Sequence, residues 1–265
     1  MTYAIRALVT SGISNGWNLE VTSSLSDRAP STTGGSPAPP ALPAEHVQKL
    51  VEIGRMFHDR NWSLGTSSNY SVVLGRNPLK LLITASGRDK RSLGSSDFVI
   101  VGDEARPLDA AMPDPSAETW LHIACAKALD AGAVLHTHSV WSTILSDLFF
   151  AQGHLPIEGY EMLKGLTGIR THEHRAQLAI FENTQDIPEL AALISQRVTA
   201  RAPGLEHGFL LRRHGLYTWG RNLAEARRHV EILEFLFEVL GRRLQMAPGQ
   251  LPSAAMDRKD ASWPA

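Results

Sequence analysis

Residues 133–140, with the sequence AVLHTHSV, constrain the fold of this chain more than any other stretch. Their small and branched side chains predict a buried strand that ends at His136-Thr137-His138. Side chains two apart on a strand point to the same face, about 6.5–7 Å apart along it. The imidazoles of His136 and His138 can therefore converge on one metal ion, and neutral imidazole suits zinc and its neighbours.

Two ligands make a poor metal site, so a third is expected from elsewhere in the chain. The best candidate is His214, which follows a second apolar strand and precedes Gly215. Three histidines with one open position are typical of a catalytic zinc ion. The alternative, two half-buried histidines without a metal, stays open on this pattern alone. A rival pair, His172 and His174, has no apolar strand leading into it, and we expect a polar loop there.

Composition excludes several classes of function. The chain has 265 residues and a net charge of −1, without the basic stripe that nucleic acid binding requires. Its apolar runs are far shorter than the ~20 residues of a membrane span, and its start does not resemble a signal peptide. The single cysteine, Cys125, excludes an internal disulfide and indicates a reducing compartment. We therefore expect a cytoplasmic protein.

Three segments differ in composition. Residues 1–43 contain a Ser-, Thr-, Gly- and Pro-rich run and predict a poorly ordered N-terminal extension. A catalytic domain is expected over 44–248, and a loose tail over 249–265. Within the domain, periodicity predicts helices over 44–59, 114–130, 186–200 and 222–246, and strands over 71–74, 81–84, 98–101, 133–138, 178–181 and 209–217. The last of these is either a strand pair or one bent strand.

Further candidate residues for the site lie near the start of the second predicted helix. Asp114 is expected to cap the second helix, with Pro115 at its first position. Glu118 would then lie in the first turn, where an acidic residue is also common for structural reasons. His122, one turn further on, is a candidate neighbour of this acid, although a position on the surface or in a satisfied core environment is expected.

Small polar residues form a set of predicted turns. Backbone N–H groups and hydroxyls in such turns can bind an anion, although each turn alone is more often a plain turn or cap. Together, beside a triple-histidine candidate, they suggest a phosphate pocket. The candidates for phosphate binding are Ser68, Asn69, Ser86, Gly87 and Ser116.

The candidate phosphate turns, acidic residue and histidines occur in the order found in the class II aldolase/adducin superfamily, which the chain resembles over about 44–246. The resemblance rests on a GxxxN turn (65–69), Ser86-Gly87, Ser116 with Glu118, the HxH pair and a distant histidine. One departure is Ala117, where many members have a second serine. The resemblance implies a three-layer α/β/α fold with a central, mostly antiparallel sheet, one Zn²⁺ per subunit, a sugar-phosphate substrate and a homotetramer.

Within the superfamily, the chain is most similar to the dehydratases of methionine salvage that act on methylthioribulose 1-phosphate. The stretches that carry this similarity are SGRDKRSLG (86–94), PSAE (115–118), GYEMLKGL (159–166), NTQD (183–186), HGLYTWG (214–220) and LEFLFE (233–238). The similarity implies that His136, His138 and His214 bind zinc and that Glu118 is the acid/base. The methylthio end of the substrate would need an apolar pocket, for which Met162 and Trp141 are candidates.

Two alternatives stay open on the sequence. The same metal and acid serve a sugar-phosphate aldolase or epimerase of the fuculose- or ribulose-phosphate type. A non-catalytic, adducin-like interaction module would need neither the histidines nor Glu118.

The C-terminal helix is expected to support assembly, because apolar residues follow two of its faces, and a helix of this kind is buried on two sides. Burial of both faces within one subunit is the other interpretation.

Overall fold

The computed structural model describes residues 41–246. The predicted tail over 249–265, and all but three residues of the predicted extension over 1–43, lie outside the described residues. The helices of the described part are α1 (Ala44–Asp59), α2 (Thr119–Ala128), α3 (Val140–Leu148), α4 (Ile187–Thr199) and α5 (Leu223–Met246). The strands are β1 (Asn69–Arg76), β2 (Leu79–Thr84), β3 (Phe98–Val101), β4 (Ala133–Thr137), β5 (His154–Glu158), β6 (Arg175–Phe181), β7 (Gly208–Leu211) and β8 (Gly215–Gly220).

The strands form one eight-stranded sheet in the order β3-β2-β1-β4-β8-β7-β6-β5. Only β6 and β7 run parallel among the described strands. Helices α1, α3 and α5 pack on one face of the sheet, and α2 and α4 pack on the other. The predicted three-layer fold with a mostly antiparallel sheet is confirmed.

The alternation of β4 decides which way its histidine points. Ala133 and Leu135 pack with α1 and α5, whereas Val134 packs in the cluster formed with α2 and α4. Successive side chains of a strand point to opposite faces, so His136 lies on the same face as Val134. Burial of Val134 and Leu135, both fully inaccessible, contributes about 1.5–3 kcal/mol each and holds β4 in this orientation.

The prediction that Asp114 caps the second helix is wrong, because α2 begins only at Thr119. Pro115 instead pairs with Ala85 in an isolated antiparallel β-bridge, and the Asp114 carbonyl accepts a hydrogen bond of 3.0 Å from Ser86 N–H. This long-range pairing keeps the segment extended, against the local preference for a helix start. Ser116 and Ser86 are thereby brought to the same loop cluster.

The other helix starts agree with their capping patterns. The Asp186 carboxylate accepts from Glu189 N–H at 3.0 Å, and the Asn222 side-chain oxygen accepts from Glu225 N–H at 3.0 Å. Stretch 209–217 is a strand pair, β7 and β8, while β5 was not predicted at all. Within residues 41–246, no helix has both the length and the apolar character that crossing a membrane requires.

Contacts within one chain bury much of the two apolar faces of α5. Leu233 and Phe237 on one face are fully buried, and so is Leu236 on the other. Phe235 is the exception, since 46% of its surface remains exposed. Burial within one subunit therefore accounts for part of the second face, and support for assembly from this helix stays a prediction.

Candidate metal and substrate site

The strand register brings three separate segments to one end of the sheet. His136, near the end of β4, lies opposite Asn69 at the start of β1 and opposite Tyr217 on β8. Gly215 begins β8, so His214 directly precedes that strand. Because β4 lies between β1 and β8, antiparallel pairing alone makes Asn69, His136 and His214 neighbours.

The Nε2 atoms of the three predicted histidines point at one another. The distance from His136 Nε2 is 2.7 Å to His138 Nε2 and 3.3 Å to His214 Nε2, and the latter two atoms are 3.1 Å apart. Tetrahedral zinc with Zn–N bonds of 2.0–2.1 Å separates its nitrogen ligands by about 3.4 Å. The observed spacings are close to that requirement, apart from the shorter one between His136 and His138.

The tautomers of two imidazoles are determined by their other nitrogen atoms. His136 Nδ1 donates to the Leu216 carbonyl at 2.8 Å, and His214 Nδ1 donates to Asn183 Oδ1 at 3.2 Å. Each Nε2 therefore carries a lone pair, and two lone pairs facing each other repel. This donor set suits a cation between the nitrogens, because the same Nδ1 contacts orient histidine ligands in metal sites.

Burial keeps these imidazoles uncharged. Desolvation lowers the pKa of His138 to about 2 and holds the pKa of the fully buried His136 well below its usual value. The pKa of His214 is also lowered, again mainly by desolvation. Protons therefore do not relieve the lone-pair repulsion near neutral pH, whereas a metal ion would, since neutral imidazole is the ligating form.

The turn that carries His214 is held by α3. Arg213 has a left-handed backbone with φ +55°, which non-glycine residues adopt only when their surroundings require it. Its N–H donates to Ser146 Oγ at 3.0 Å, and Thr143 Oγ1 donates to the His214 carbonyl at 3.0 Å. These contacts aim the His214 ring back toward β4.

Glu118, at the start of α2, approaches the same point. Its Oε2 atom lies 3.4 Å from His136 Nε2, and its Oε1 atom lies 3.3 Å from His214 Nε2. Asn69 Nδ2 donates to Glu118 Oε2 at 2.6 Å. Among the described residues, Glu118 and the three histidines form the one group of histidine, cysteine and acidic side chains compact enough to hold a metal ion.

The predicted phosphate residues and Glu118 line a single cavity of about 820 Å³. His138 and His214 also line it, so the histidine cluster and the small-residue turns share one space. Gly87 has φ +67°, and a Cβ added there would meet open space. The wall residues from the predicted turns are Ser68, Asn69, Ser86, Gly87 and Ser116.

Several of these wall residues already have protein partners. The Asn69 amide donates to Ser116 Oγ at 3.0 Å as well as to Glu118. Ser68 Oγ is 3.5 Å from the Trp62 carbonyl, and Ser86 N–H is bonded to the Asp114 carbonyl. An anion in the cavity would therefore rely on the hydroxyls and on the remaining backbone N–H groups rather than on the Asn69 amide.

Lys90 adds a positive charge close to these turns. Its side chain is fully buried, and Nζ donates to the Arg88 carbonyl at 2.6 Å and approaches the Thr66 carbonyl at 3.5 Å. Burial lowers the pKa of Lys90 to about 8. The ammonium thus joins the turn at Ser86-Gly87 to the turn that precedes Asn69.

Asn183 contacts His214 and lines the cavity with Thr184 and Gln185. The stretch NTQD (183–186) carries part of the family similarity, but none of its residues was among the predicted site residues. These residues follow β6, the parallel neighbour of β7, so their signal was a polar run just beyond a buried strand. The two candidates for an apolar pocket lie away from this cavity. The Trp141 ring packs beside Gly241 of α5, and neither Trp141 nor Met162 lines this cavity.

The rival pair of histidines does not assemble into a site within residues 41–246. His172 is more than half exposed, and its nearest acidic partner is Glu161 at 3.6 Å. His174 lies in the same exposed turn before β6. The predicted polar loop is confirmed.

Comparison with known proteins identifies relatives that this chain covers over most of their length. The model of the class II aldolase and adducin N-terminal domain matches residues 48–240. Methylthioribulose-1-phosphate dehydratase of Marinobacter nauticus is 44% identical over 196 residues, which cover 74% of this chain and 92% of that relative. The enzyme of the same name from Serratia proteamaculans is 43% identical over 202 residues, 76% of this chain and 96% of the relative.

Solved structures with the same fold are more distant in sequence. An L-fuculose 1-phosphate aldolase superposes with a TM-score of 0.63 at 22% identity, covering 81% of this chain and 94% of the other. The L-fuculose-1-phosphate aldolase of Thermus thermophilus gives 0.59 at 23% identity, covering 79% and 99%. Family model and dehydratase relatives together cover most of the described residues, and the chain belongs to the class II aldolase and adducin N-terminal domain family.

Proposed function

We propose that the protein is a metal-dependent hydro-lyase that removes water from 5-methylthioribulose 1-phosphate and yields the 2,3-diketo-5-methylthiopentyl 1-phosphate of methionine salvage. The observation that carries the chemistry is the approach of one carboxylate, Glu118, to within 3.4 Å of the Nε2 atoms of His136 and His214. The substrate is proposed from the dehydratase relatives at 41–44% identity.

The donor set fits a metal, and zinc is the ion we propose. His136, His138 and His214 would hold it through Nε2, because Nδ1 of the first and third is engaged with Leu216 and Asn183. When bound, zinc would supply Lewis acidity that polarises the C2 carbonyl and acidifies the neighbouring C3 proton.

Glu118 is the proposed acid/base. As a carboxylate it takes the C3 proton, and it then gives that proton to the departing C4 hydroxyl, which leaves as water. The C3–H and C4–O bonds break, and the resulting enol between C3 and C4 becomes the C3 ketone when C4 gains a proton and the C3 hydroxyl loses one. Asn69 holds the carboxylate from one side, so one face of Glu118 remains directed at the histidine cluster.

The phosphate is proposed to bind at the small-residue turns, Ser68 with Asn69, Ser86 with Gly87, and Ser116. All five residues line the cavity that Glu118 and His214 share. Anchoring the remote phosphate holds the reacting carbons against the acid/base, and such positioning lowers the barrier without changing the chemistry. The buried Lys90 ammonium adds favourable charge to this end of the cavity.

The methylthio group is the apolar end of the substrate. Trp120, Ile187 and Pro188 line the same cavity, and they are the apolar side chains against which we propose it packs. The sulfur and methyl group need only apolar contact and exclusion of water, which an aromatic ring and two aliphatic side chains provide.

The competing activity is aldol cleavage, which the fold alone allows because aldolases share it. Incubation of the purified protein with 5-methylthioribulose 1-phosphate separates the two by product. We expect a diketone phosphate that has lost one water, identified by mass spectrometry. Formation of dihydroxyacetone phosphate and methylthioacetaldehyde would show cleavage of C3–C4 and overturn the dehydratase proposal.

A homotetramer in the cytoplasm remains part of the proposal. It rests on the family resemblance, with exposed apolar side chains on α3 as a candidate contact surface: Val140 is 61% exposed and Ile144 is 41% exposed. Light scattering on the eluting species of a sizing column measures the subunit number directly. An adducin-like module without activity is disfavoured, since Glu118 and the three histidines are all retained at one point.

A further inference from the structure

A line of hydrogen bonds links Ser71 on β1, His122 on α2 and Asn69 on β1 to Glu118. Ser71 Oγ lies 2.7 Å from His122 Nδ1, and His122 Nε2 contacts Asn69 Oδ1. The Asn69 amide nitrogen then donates to Glu118 Oε2 at 2.6 Å. Ser71 and His122 are fully buried and Asn69 is nearly so, which means that no solvent competes for the two contacts of His122.

The direction of every hydrogen bond in this line follows from its last acceptor. The Glu118 carboxylate only accepts, so Asn69 presents its NH₂ group to it and turns Oδ1 toward His122. Since Oδ1 only accepts, His122 Nε2 must carry the proton and Nδ1 must accept from the Ser71 hydroxyl. A neutral imidazole has the single proton that this pattern requires, and burial lowers the pKa of His122 to about 4.

We propose that His122 is a positioning residue for the acid/base Glu118, acting through the amide of Asn69. The N–H donated by His122 holds Oδ1 of that amide and thereby fixes where its NH₂ group lies beside the carboxylate. Without it, Oδ1 would be a buried acceptor with no partner, and the amide would shift away from Glu118 to satisfy it. The carboxylate would lose the contact that holds it beside His136 and His214. This inference rests on the proposed function, because it assigns the network to the same acid/base.

Two replacements of His122 separate donation from packing. Glutamine can place an N–H near the position of Nε2, whereas leucine fills a similar volume without any donor. We expect His122→Leu to lose about 10- to 100-fold in kcat, the range expected for a misplaced catalytic group. Its KM and its zinc content should stay within about twofold of wild type, and His122→Gln should recover most of kcat. Cys125→Ala, also fully buried on α2, is the matched packing control and should keep normal kcat.

Crystal structures of the two variants give a readout that does not depend on activity. The Asn69–Glu118 contact of 2.6 Å should be lost in His122→Leu and kept in His122→Gln. A His122→Leu protein with normal kcat and an intact contact overturns the proposal, and so does a His122→Gln protein as impaired as His122→Leu. If the wild type does not dehydrate the substrate, the proposed function fails, while loss of the contact in His122→Leu alone would still support the positioning role.

Discussion

Gly215 allows the two histidine segments to approach each other. It follows His214 and pairs with Leu211 in the β7–β8 hairpin, close to the backbone between His136 and His138. A Cβ at this position would overlap the Thr137 carbonyl oxygen and come within 3.2 Å of His136 Cε1. Gly215→Ala must therefore push β4 and the His214 turn apart.

The size of that displacement predicts the effect on the metal. Restoring van der Waals separation from the Thr137 oxygen requires a movement of about 1 Å, whereas metal–ligand distances tolerate only about 0.2 Å. We expect zinc affinity to fall at least 10- to 100-fold, as when the orientation of metal ligands is disturbed. Overpacking of about 1–3 kcal/mol should also lower Tm by about 3–10 °C.

Competition with a chromophoric chelator measures the zinc affinity, and thermal unfolding with and without zinc measures Tm. Gly75→Ala is the matched control, because a Cβ on this glycine of β1 would lie 3.8 Å from the nearest atom, an ordinary contact. If Gly215→Ala binds zinc as tightly as Gly75→Ala, the close approach of these segments does not govern the metal site. A lower Tm with unchanged zinc affinity would likewise reduce Gly215 to a packing role.

Four further predictions concern the remaining parts of the site and the fold. Zinc content by mass spectrometry should be lost in His214→Ala and kept in His172→Ala; the reverse result would place the metal elsewhere. Glu118→Gln should hold zinc and fold normally but lose about 10²–10⁴-fold in kcat, and loss of zinc instead would make Glu118 a ligand. Gly87→Val, which places a side chain at φ +67°, should lower kcat/KM for the phosphorylated sugar much more than for the dephosphorylated sugar; equal losses would mean that the turn is only structural. Hydrogen bonding to Arg221, the largest cause, lowers the pKa of Glu225 from 4.5 to about 2. The stability that the Glu225 carboxylate contributes is therefore present above about pH 4.5 and is lost as the pH falls toward 2. Urea unfolding of the metal-free wild type at a series of pH values should show this loss, and Glu225→Gln should lack it.

The parts of the fold that depend on local signals could be predicted from the sequence. Asp186 and Asn222 cap their helices as the capping pattern requires, because the acceptor and the N–H lie three residues apart. Asp114 failed for the opposite reason, since the bridge between Pro115 and Ala85 spans distant segments. Strand β5 has a proline and lies at the edge of the sheet, where the alternation of apolar side chains gives a weak signal.

The histidine cluster was predictable because its spacing carries the information. His136 and His138 share a face by strand geometry, and His214 was indicated by a second strand. The contacts of Asn183 and His122 were not predictable, since each depends on which strands become neighbours. His122 was expected on the surface or in a satisfied core environment, and it is indeed buried and hydrogen bonded. Its link to Glu118 through Asn69 required the register of β1.

Zinc titration of the metal-stripped protein tests the central claim most directly. The claim is that three histidines hold one zinc ion on which dehydration depends. After chelation and removal of the chelator, dehydration of 5-methylthioribulose 1-phosphate should be lost, and added zinc should restore it up to a break at one ion per subunit. Full dehydration by protein shown by mass spectrometry to contain no metal would contradict the account.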